Sequence, residues 1–175
     1  MAMKELIVGG GCFWCTEAVF ETLKGVNDVE SGYANGQTDN PTYRDICTGE
    51  SGHAEVIKIS YEDTIITSDT LLDIFFVVHN PTTLNQQGAD KGTQYRSTIL
   101  YTDEETKETA QAALEAAQKD YSDSIVTTIE PLDCYYTAES YHQDYYRQNQ
   151  AQGYCMAVIP PKLAKLKAKF GKEMA

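Results

Sequence analysis

The stretch Gly9-Gly10-Gly11-Cys12-Phe13-Trp14-Cys15-Thr16-Glu17 lies between a short apolar run, Leu6-Ile7-Val8, and a pattern with helical spacing. A strand therefore hands over to a helix at Cys12. The first N–H groups of a helix lack partners within it, and the helix dipole is positive there, so both favour a deprotonated sulfur. Glycines place no side chain in the way of an approaching molecule. The expectation is an accessible thiolate, and a thiolate is a nucleophile.

Working outward, residues 4–8 read as a strand and 13–24 as a helix whose stripe is Val19, Phe20 and Leu23, closed by Gly25. A second strand is expected over 26–33. Residues 35–53 form a long polar loop by composition, a type of segment that often carries function. Residues 55–61 place Val56, Ile57, Ile59 and Tyr61 among polar neighbours, the pattern of a strand. Ser68 and Asp69 then cap an apolar helix over 70–78 that stops at Asn80-Pro81. A second polar loop, 81–96, leads to a strand over 97–101.

Up to Tyr101 the order is β-α-β-β-α-β, so the expected fold is α+β: a ferredoxin-like split βαβ core in two layers, with additional C-terminal elements. Those elements begin with a helix over 102–121, where Thr102 and Glu105 match a capping box and Ala110, Ala113, Leu114, Ala117 and Tyr121 form the stripe. A strand near 126–132 and a Tyr-rich helix over 138–147 follow. After Pro160-Pro161, residues 162–172 place Leu163, Leu166 and Phe170 on one face of a short helix that docks on the core. With no repeat or linker in sight, residues 1–175 read as one domain, with a core over about 4–150 and a tail over about 150–175.

Composition narrows the classes of function. A chain of 175 residues with 42% apolar content builds a core without staples, and its apolar runs are too short to span a bilayer. Fourteen basic against 26 acidic residues give a net charge of −12, which opposes phosphate-backbone binding, so nucleic acid is not an expected partner; with no spanning run and the C-terminal helix read as docked on the core rather than on a membrane surface, no membrane is expected either. The first residues lack a secretory signal, and five cysteines, an odd number, suit a reducing compartment. The expected location is cytoplasmic.

Four chemistries compete for the glycine-cysteine stretch. A dinucleotide-binding turn needs small residues where Phe13 and Trp14 stand, and the last glycine of its fingerprint is missing. A zinc site finds no second C-x-x-C, only His53, His79 and His142 scattered along the chain, so no metal is expected. A thioredoxin-like dithiol of Cys12 and Cys15 stays open, as does a redox-sensing domain without turnover. The fourth reading is a cysteine nucleophile at Cys12 with Phe13 and Trp14 as an apolar wall for a small soft group such as a methyl on sulfur. Glu17 reads as a helix-start residue, and Cys47 and Cys134 as buried small apolar residues.

Five ordered motifs then carry a resemblance. Gly11-Cys12-Phe13-Trp14-Cys15-Thr16-Glu17, Asn40-Pro41-Thr42-Tyr43, Gly52-His53-Ala54-Glu55-Val56, Gln87-Gly88-Ala89-Asp90 and Gly92-Thr93-Gln94-Tyr95-Arg96-Ser97 resemble the successive motifs of A-type peptide-methionine (S)-S-oxide reductases. Tyr141-His142-Gln143 and Gly153-Tyr154-Cys155 extend the likeness, which covers roughly residues 5–160. The chain departs from the common pattern at Asn35, at Asn80 and at Ala89-Asp90-Lys91.

The resemblance implies reduction of methionine-S-sulfoxide, free or in oxidised proteins. In that reading Cys12 attacks the sulfoxide sulfur, Glu55 protonates the oxygen, Tyr43 and Tyr95 donate hydrogen bonds to it, and Asp90 orders the polar side. Phe13 and Trp14 hold the substrate methyl. Such roles suit the chemistry, because sulfoxide oxygen leaves poorly until protonated. Glu55 begins an apolar strand, where desolvation would keep it protonated near neutral pH. Oxidised to a sulfenic acid, Cys12 then needs a second thiol to form a disulfide. Gly153-Tyr154-Cys155 resembles the family's recycling segment, making Cys155 the expected resolving thiol. Cys15, one turn from Cys12 at roughly 5–6 Å between β-carbons, is the alternative. No bound cofactor is implied, and thioredoxin, or dithiothreitol in vitro, is the implied reductant.

Overall fold

The computed structural model describes residues 3–87, 90–143, 145 and 153–174; within these, the side chains of residues 141, 154–156 and 158 are outside the description. The fold is mixed α+β, built on one six-stranded sheet. Its strands are β1 (Met3–Gly9), β2 (Val26–Ala34), β3 (Ala54–Glu62), β6 (Thr98–Tyr101), β7 (Thr128–Pro131) and β8 (Tyr135–Thr137), in the order β7-β6-β1-β3-β2-β8. A separate two-stranded ribbon joins β4 (Gln86–Gln87) to β5 (Asp90–Lys91). Within the inner four strands every pairing is antiparallel, while β7 runs parallel to β6.

Alternation along the strands divides the sheet into two faces. Leu6 and Val8 of β1 and Ile57, Ile59 and Tyr61 of β3 enter the main core beneath the helices. Ile7, Ala54, Val56 and Leu100 lie in a smaller cluster on the other side, partly covered by Leu132 and Tyr135. The main core is closed by α1 (Phe13–Phe20), α3 (Ser68–Val78), α4 (Glu104–Gln118) and α5 (Gly153–Phe170). Helix α3 contributes Leu71, Leu72, Ile74, Phe75 and Phe76, all buried.

Several boundaries differ from the sequence expectation. The polar loop 35–53 contains a five-residue helix, α2 (Tyr43–Cys47). It is started by a capping box in which the Asp45 N–H donates to Thr42 Oγ1 at 3.3 Å and the Thr42 N–H donates to Asp45 Oδ2 at 2.9 Å. Helix α4 is capped by Asp103 rather than Thr102. Helix α1 ends at Phe20, four residues before the expected stop, and the last helix begins at Gly153 with Pro160 and Pro161 inside it. Of the expected helix over 138–147, the described residues show a 3-10 turn, Ser140–His142, and helical backbone at Tyr145; residues 144, 146 and 147 lie outside the described residues.

The antiparallel core decides where the site lies. Because β1 and β2 both run antiparallel to β3, and β6 antiparallel to β1, the ends of β1 and β2 and the starts of β3 and β6 share one edge of the sheet. The four segments at that edge are 9–13, 34–51, 52–55 and 92–98, so four separate motifs converge.

Candidate active site

Cys12 occupies the N-cap position of α1, with extended backbone, and its carbonyl accepts from the Cys15 N–H at 3.1 Å. The structure corrects the expected exposure: Cys12 is 6% exposed. The glycines before it make room for neighbours instead of opening a path. A Cβ on Gly11, whose φ is +93, would come within 2.7 Å of Gln87 Cγ, and one on Gly9 within 2.9 Å of the Glu55 carbonyl oxygen. Burial therefore pushes the Cys12 thiol well above its ordinary value, helped by a hydrogen bond with Cys15 and by the nearby Glu55, while the Trp14 N–H pulls the other way. Helix position favours a thiolate and desolvation opposes it; desolvation is the larger effect. Cys12 rests as a thiol.

Glu55 shares a sheet face with Ile57 and Ile59, the face turned to the helices, and is 1% exposed. Its Oε1 accepts the Phe13 N–H at 3.2 Å. Its Oε2 is buried and has no hydrogen-bond partner among the described residues. Burial raises the Glu55 carboxyl to about 8, against the Phe13 N–H, which lowers it; Asp90 and Cys15 raise it further. At neutral pH the group is a carboxylic acid. Because Oε1 accepts an N–H, the proton sits on Oε2, the one oxygen left to donate to an incoming ligand.

Tyr43 and Tyr95 reach the same centre from two loops. Both are half-buried, and burial followed by the charge of Glu55 raises both phenols far above their ordinary value, so both stay donors. Tyr95 also interacts with Cys12 and Asp90. Tyr43 begins α2, and its N–H donates to Glu139 Oε2 at 2.9 Å while the Tyr33 hydroxyl donates to Glu139 Oε1 at 2.8 Å. Arg96 ties the loops together, donating to the Thr93 carbonyl at 2.8 Å and the Gly52 carbonyl at 2.9 Å. Thr93 Oγ1 adds a bond to the Gly49 carbonyl at 3.0 Å.

Phe13 is fully buried and Trp14 half-buried beside Cys12. The Trp14 indole stacks on Tyr145 with ring centroids 3.8 Å apart and 9° between planes. Its Nε1–H donates to His142 Nδ1 at 2.9 Å, and the His142 ring lies 5.2 Å from Phe13 and 4.4 Å from Tyr43. The expected Cys12, Phe13, Trp14, Tyr43, Glu55, Asp90 and Tyr95 are thus neighbours through contact or charge. Cys15 is buried next to Cys12. Cys155 lies on α5, which packs against α1, but its side chain falls outside the described residues.

Other residues take unexpected places. Cys47 is exposed, not buried, and hydrogen-bonds to the Tyr43 side chain. His142, quoted in the Tyr141-His142-Gln143 likeness without a role, and Tyr145 enter the site from the Tyr-rich tail. Half-buried Lys162 of α5 donates to the Val78 carbonyl at 3.0 Å, and its ammonium feels Cys15, Asp90 and Cys12. His53 and His79 serve backbone and hydroxyl partners: His53 Nδ1 accepts from Gly36 N–H at 3.0 Å, and His79 Nε2 bonds Ser97 Oγ at 2.8 Å. Among the described residues no group of three or more His, Cys, Asp or Glu could hold a metal. A cavity of about 610 Å³ between α3, α4 and α5 contains none of the clustered residues.

Comparison with known proteins bears on this cluster. The sequence profile of the peptide methionine sulfoxide reductase family matches residues 4–174. The chain belongs to the peptide methionine sulfoxide reductase family. Relatives named peptide methionine sulfoxide reductase MsrA include those of Chromobacterium violaceum, 52% identical over 170 residues (96% of this chain, 97% of the relative), and of Erwinia tasmaniensis, 53% identical over 171 residues (97% and 96%). Among solved structures, reduced Mxr1 of Saccharomyces cerevisiae superposes with a TM-score of 0.84 at 38% identity, covering 90% of this chain and 91% of that one. Mxr1 in complex with Trx2 gives 0.59 at 27% identity, covering 82% and 84%.

Proposed function

We propose that the chain reduces methionine-S-sulfoxide, free or within oxidised proteins, to methionine. The observation that carries this reading is Glu55, a buried carboxylic acid anchored through Oε1 on the Phe13 N–H and carrying its proton on the other oxygen. The sulfoxide oxygen takes hydrogen bonds from Tyr43 and Tyr95, Glu55 protonates it, and the Cys12 sulfur attacks the sulfoxide sulfur. Deprotonation of the thiol accompanies transfer of a proton to the oxygen, so no free thiolate need accumulate. The S–O bond to the methionine sulfur then breaks as the hydroxyl passes to the Cys12 sulfur, and the new S–S bond gives its electron pair to the departing methionine, so Cys12 carries the oxygen as a sulfenic acid and the thiol proton returns to Glu55. Phe13 and Trp14 hold the methyl group, and Asp90 orders the polar side.

Cys155 then attacks the sulfenic sulfur, releasing water and forming a disulfide that a dithiol reductant reopens. The packing of α5 against α1 supports this assignment. Cys15 is the alternative, supported by its hydrogen bond with Cys12. Thioredoxin is the proposed reductant, supported by the yeast relative crystallised with Trx2; no bound cofactor takes part. The whole chain acts as one domain, and the antiparallel order β6-β1-β3-β2 with its α1 and α3 crossings supports reading the core as a ferredoxin-like split βαβ unit. Among the described residues no helix is long and apolar enough to cross a membrane. A cytoplasmic role in repair of oxidised protein fits this proposal.

The test is turnover of peptide methionine-S-sulfoxide with dithiothreitol by the wild type and by Cys12→Ser. The reading expects activity only in the wild type; residual turnover in the variant would overturn the nucleophile. A dithiol oxidoreductase would instead turn over protein disulfides faster than sulfoxide, and leaves Glu55, Tyr43 and Tyr95 without a task.

A further inference from the structure

Glu17 is a glutamate almost wholly removed from water, at 1% exposure, one turn beyond Trp14 in α1. A carboxyl group in such a place is there because something holds it. Its Oε2 accepts from Ser31 Oγ at 3.3 Å and its Oε1 accepts from the Tyr145 N–H at 3.2 Å. The second bond fixes the backbone of the residue whose ring lies flat on Trp14. Gln143 secures the same segment to β2, accepting from the Ser31 N–H at 2.9 Å and donating to the Ser31 carbonyl at 3.0 Å. Immediately before Gln143, His142 accepts the Trp14 indole N–H. Trp14 therefore has a ring on one face and an acceptor at its edge, both supplied by a segment more than a hundred residues away.

We propose that Glu17 is a positioning residue that sets substrate selectivity: by holding Tyr145 over Trp14 it fixes the indole as a rigid wall of the methyl pocket. The proposal rests on the reading of Trp14 as part of that pocket. Helix α1 alone orients the Trp14 backbone but leaves two side-chain torsions to be settled. The Tyr145 stack and the His142 bond settle both. A wall held this way discriminates a methyl from a larger alkyl group, whereas a loose indole yields to either.

The experiment uses Trp14 itself, the single tryptophan of the chain, as the reporter. Glu17→Leu should shift its emission to the red, raise its quenching by acrylamide, and raise KM for a methyl sulfoxide peptide about three- to tenfold with kcat changed less, the factor an aromatic stack contributes. Preference for methyl over ethyl sulfoxide should fall in parallel. Glu17→Gln, which still offers an acceptor to Tyr145, should restore the emission and the KM. Tyr145→Leu, which leaves Glu17 and its helix untouched, should reproduce the Glu17→Leu emission and selectivity, and it decides the matter if Glu17→Leu does not fold. Wild-type emission, quenching and selectivity in Tyr145→Leu would overturn the proposal. Absence of sulfoxide turnover in the wild type would fail the reductase reading instead, while the ligand-free emission still judges the clamp.

Discussion

Two protonation states at one site are set against their ordinary values, and both by burial. Cys12 is held as a thiol although it caps a helix, and Glu55 as an acid although a backbone N–H favours its anion. The single-turnover rate of sulfoxide reduction should therefore fall as pH rises through about 8, where Glu55 loses its proton. Glu55→Gln should lower that rate on the order of 10²- to 10⁴-fold at pH 7 and abolish the decline, as stopped-flow mixing would show. The same group shapes stability. Its folded value lies above its unfolded value near 4.5, so its contribution is intact below that pH and is lost as pH rises toward about 8. In urea titrations Glu55→Gln should gain on the wild type by about 1.4 kcal/mol per pH unit between pH 5 and 7. Glu55 was legible because its motif and its place in an apolar strand point the same way. The protonation of Cys12 was not, since it depends on Gln87 and the start of β3 closing over the glycines.

Elements bring these residues together, and the least visible of them matters most to the site. Helix α2 is only five residues long and lies in a stretch of turn-forming residues, so no periodicity betrays it. Its capping box, Thr42 with Asp45, is the physical reason Tyr43 has a defined direction. Thr42→Ala should remove about 1 kcal/mol of stability and also raise KM, because Tyr43 loses its helical anchor. Asp103→Ala at the start of α4 should lower stability by a similar amount with kcat and KM unchanged, since α4 carries none of the clustered residues. Thermal melts with steady-state kinetics on both variants separate the two effects. Helix α5 shows the opposite lesson. Prolines at 160 and 161 signal a boundary by local rules, yet the helix runs through them with Ile159 and Leu166 buried against the core. Tertiary packing outweighs two missing backbone donors.

At the scale of the molecule, the antiparallel order of the inner strands is what turns four motifs spread over more than eighty residues into one site, to which the β4–β5 ribbon adds Gln87 and Asp90. The strand–helix order up to Tyr101 was readable from hydrophobic pattern and caps. The placing of His142, Gln143 and Tyr145 was not, because it depends on β8 pairing with β2 at the edge of the sheet and carrying these residues back over α1. A chain whose site is assembled this way should lose activity and tertiary structure together in denaturant, with Trp14 emission and sulfoxide turnover falling in one transition. The central claim is that Cys12 takes the oxygen from the sulfoxide and passes its oxidation to a second thiol. It is tested most directly by mixing the reduced protein with one equivalent of methionine-S-sulfoxide peptide and mapping the cysteines by peptide mass spectrometry. The account predicts one methionine released per chain and a disulfide joining Cys12 to Cys155. Methionine formed with Cys12 still a thiol and absent from any disulfide would contradict it.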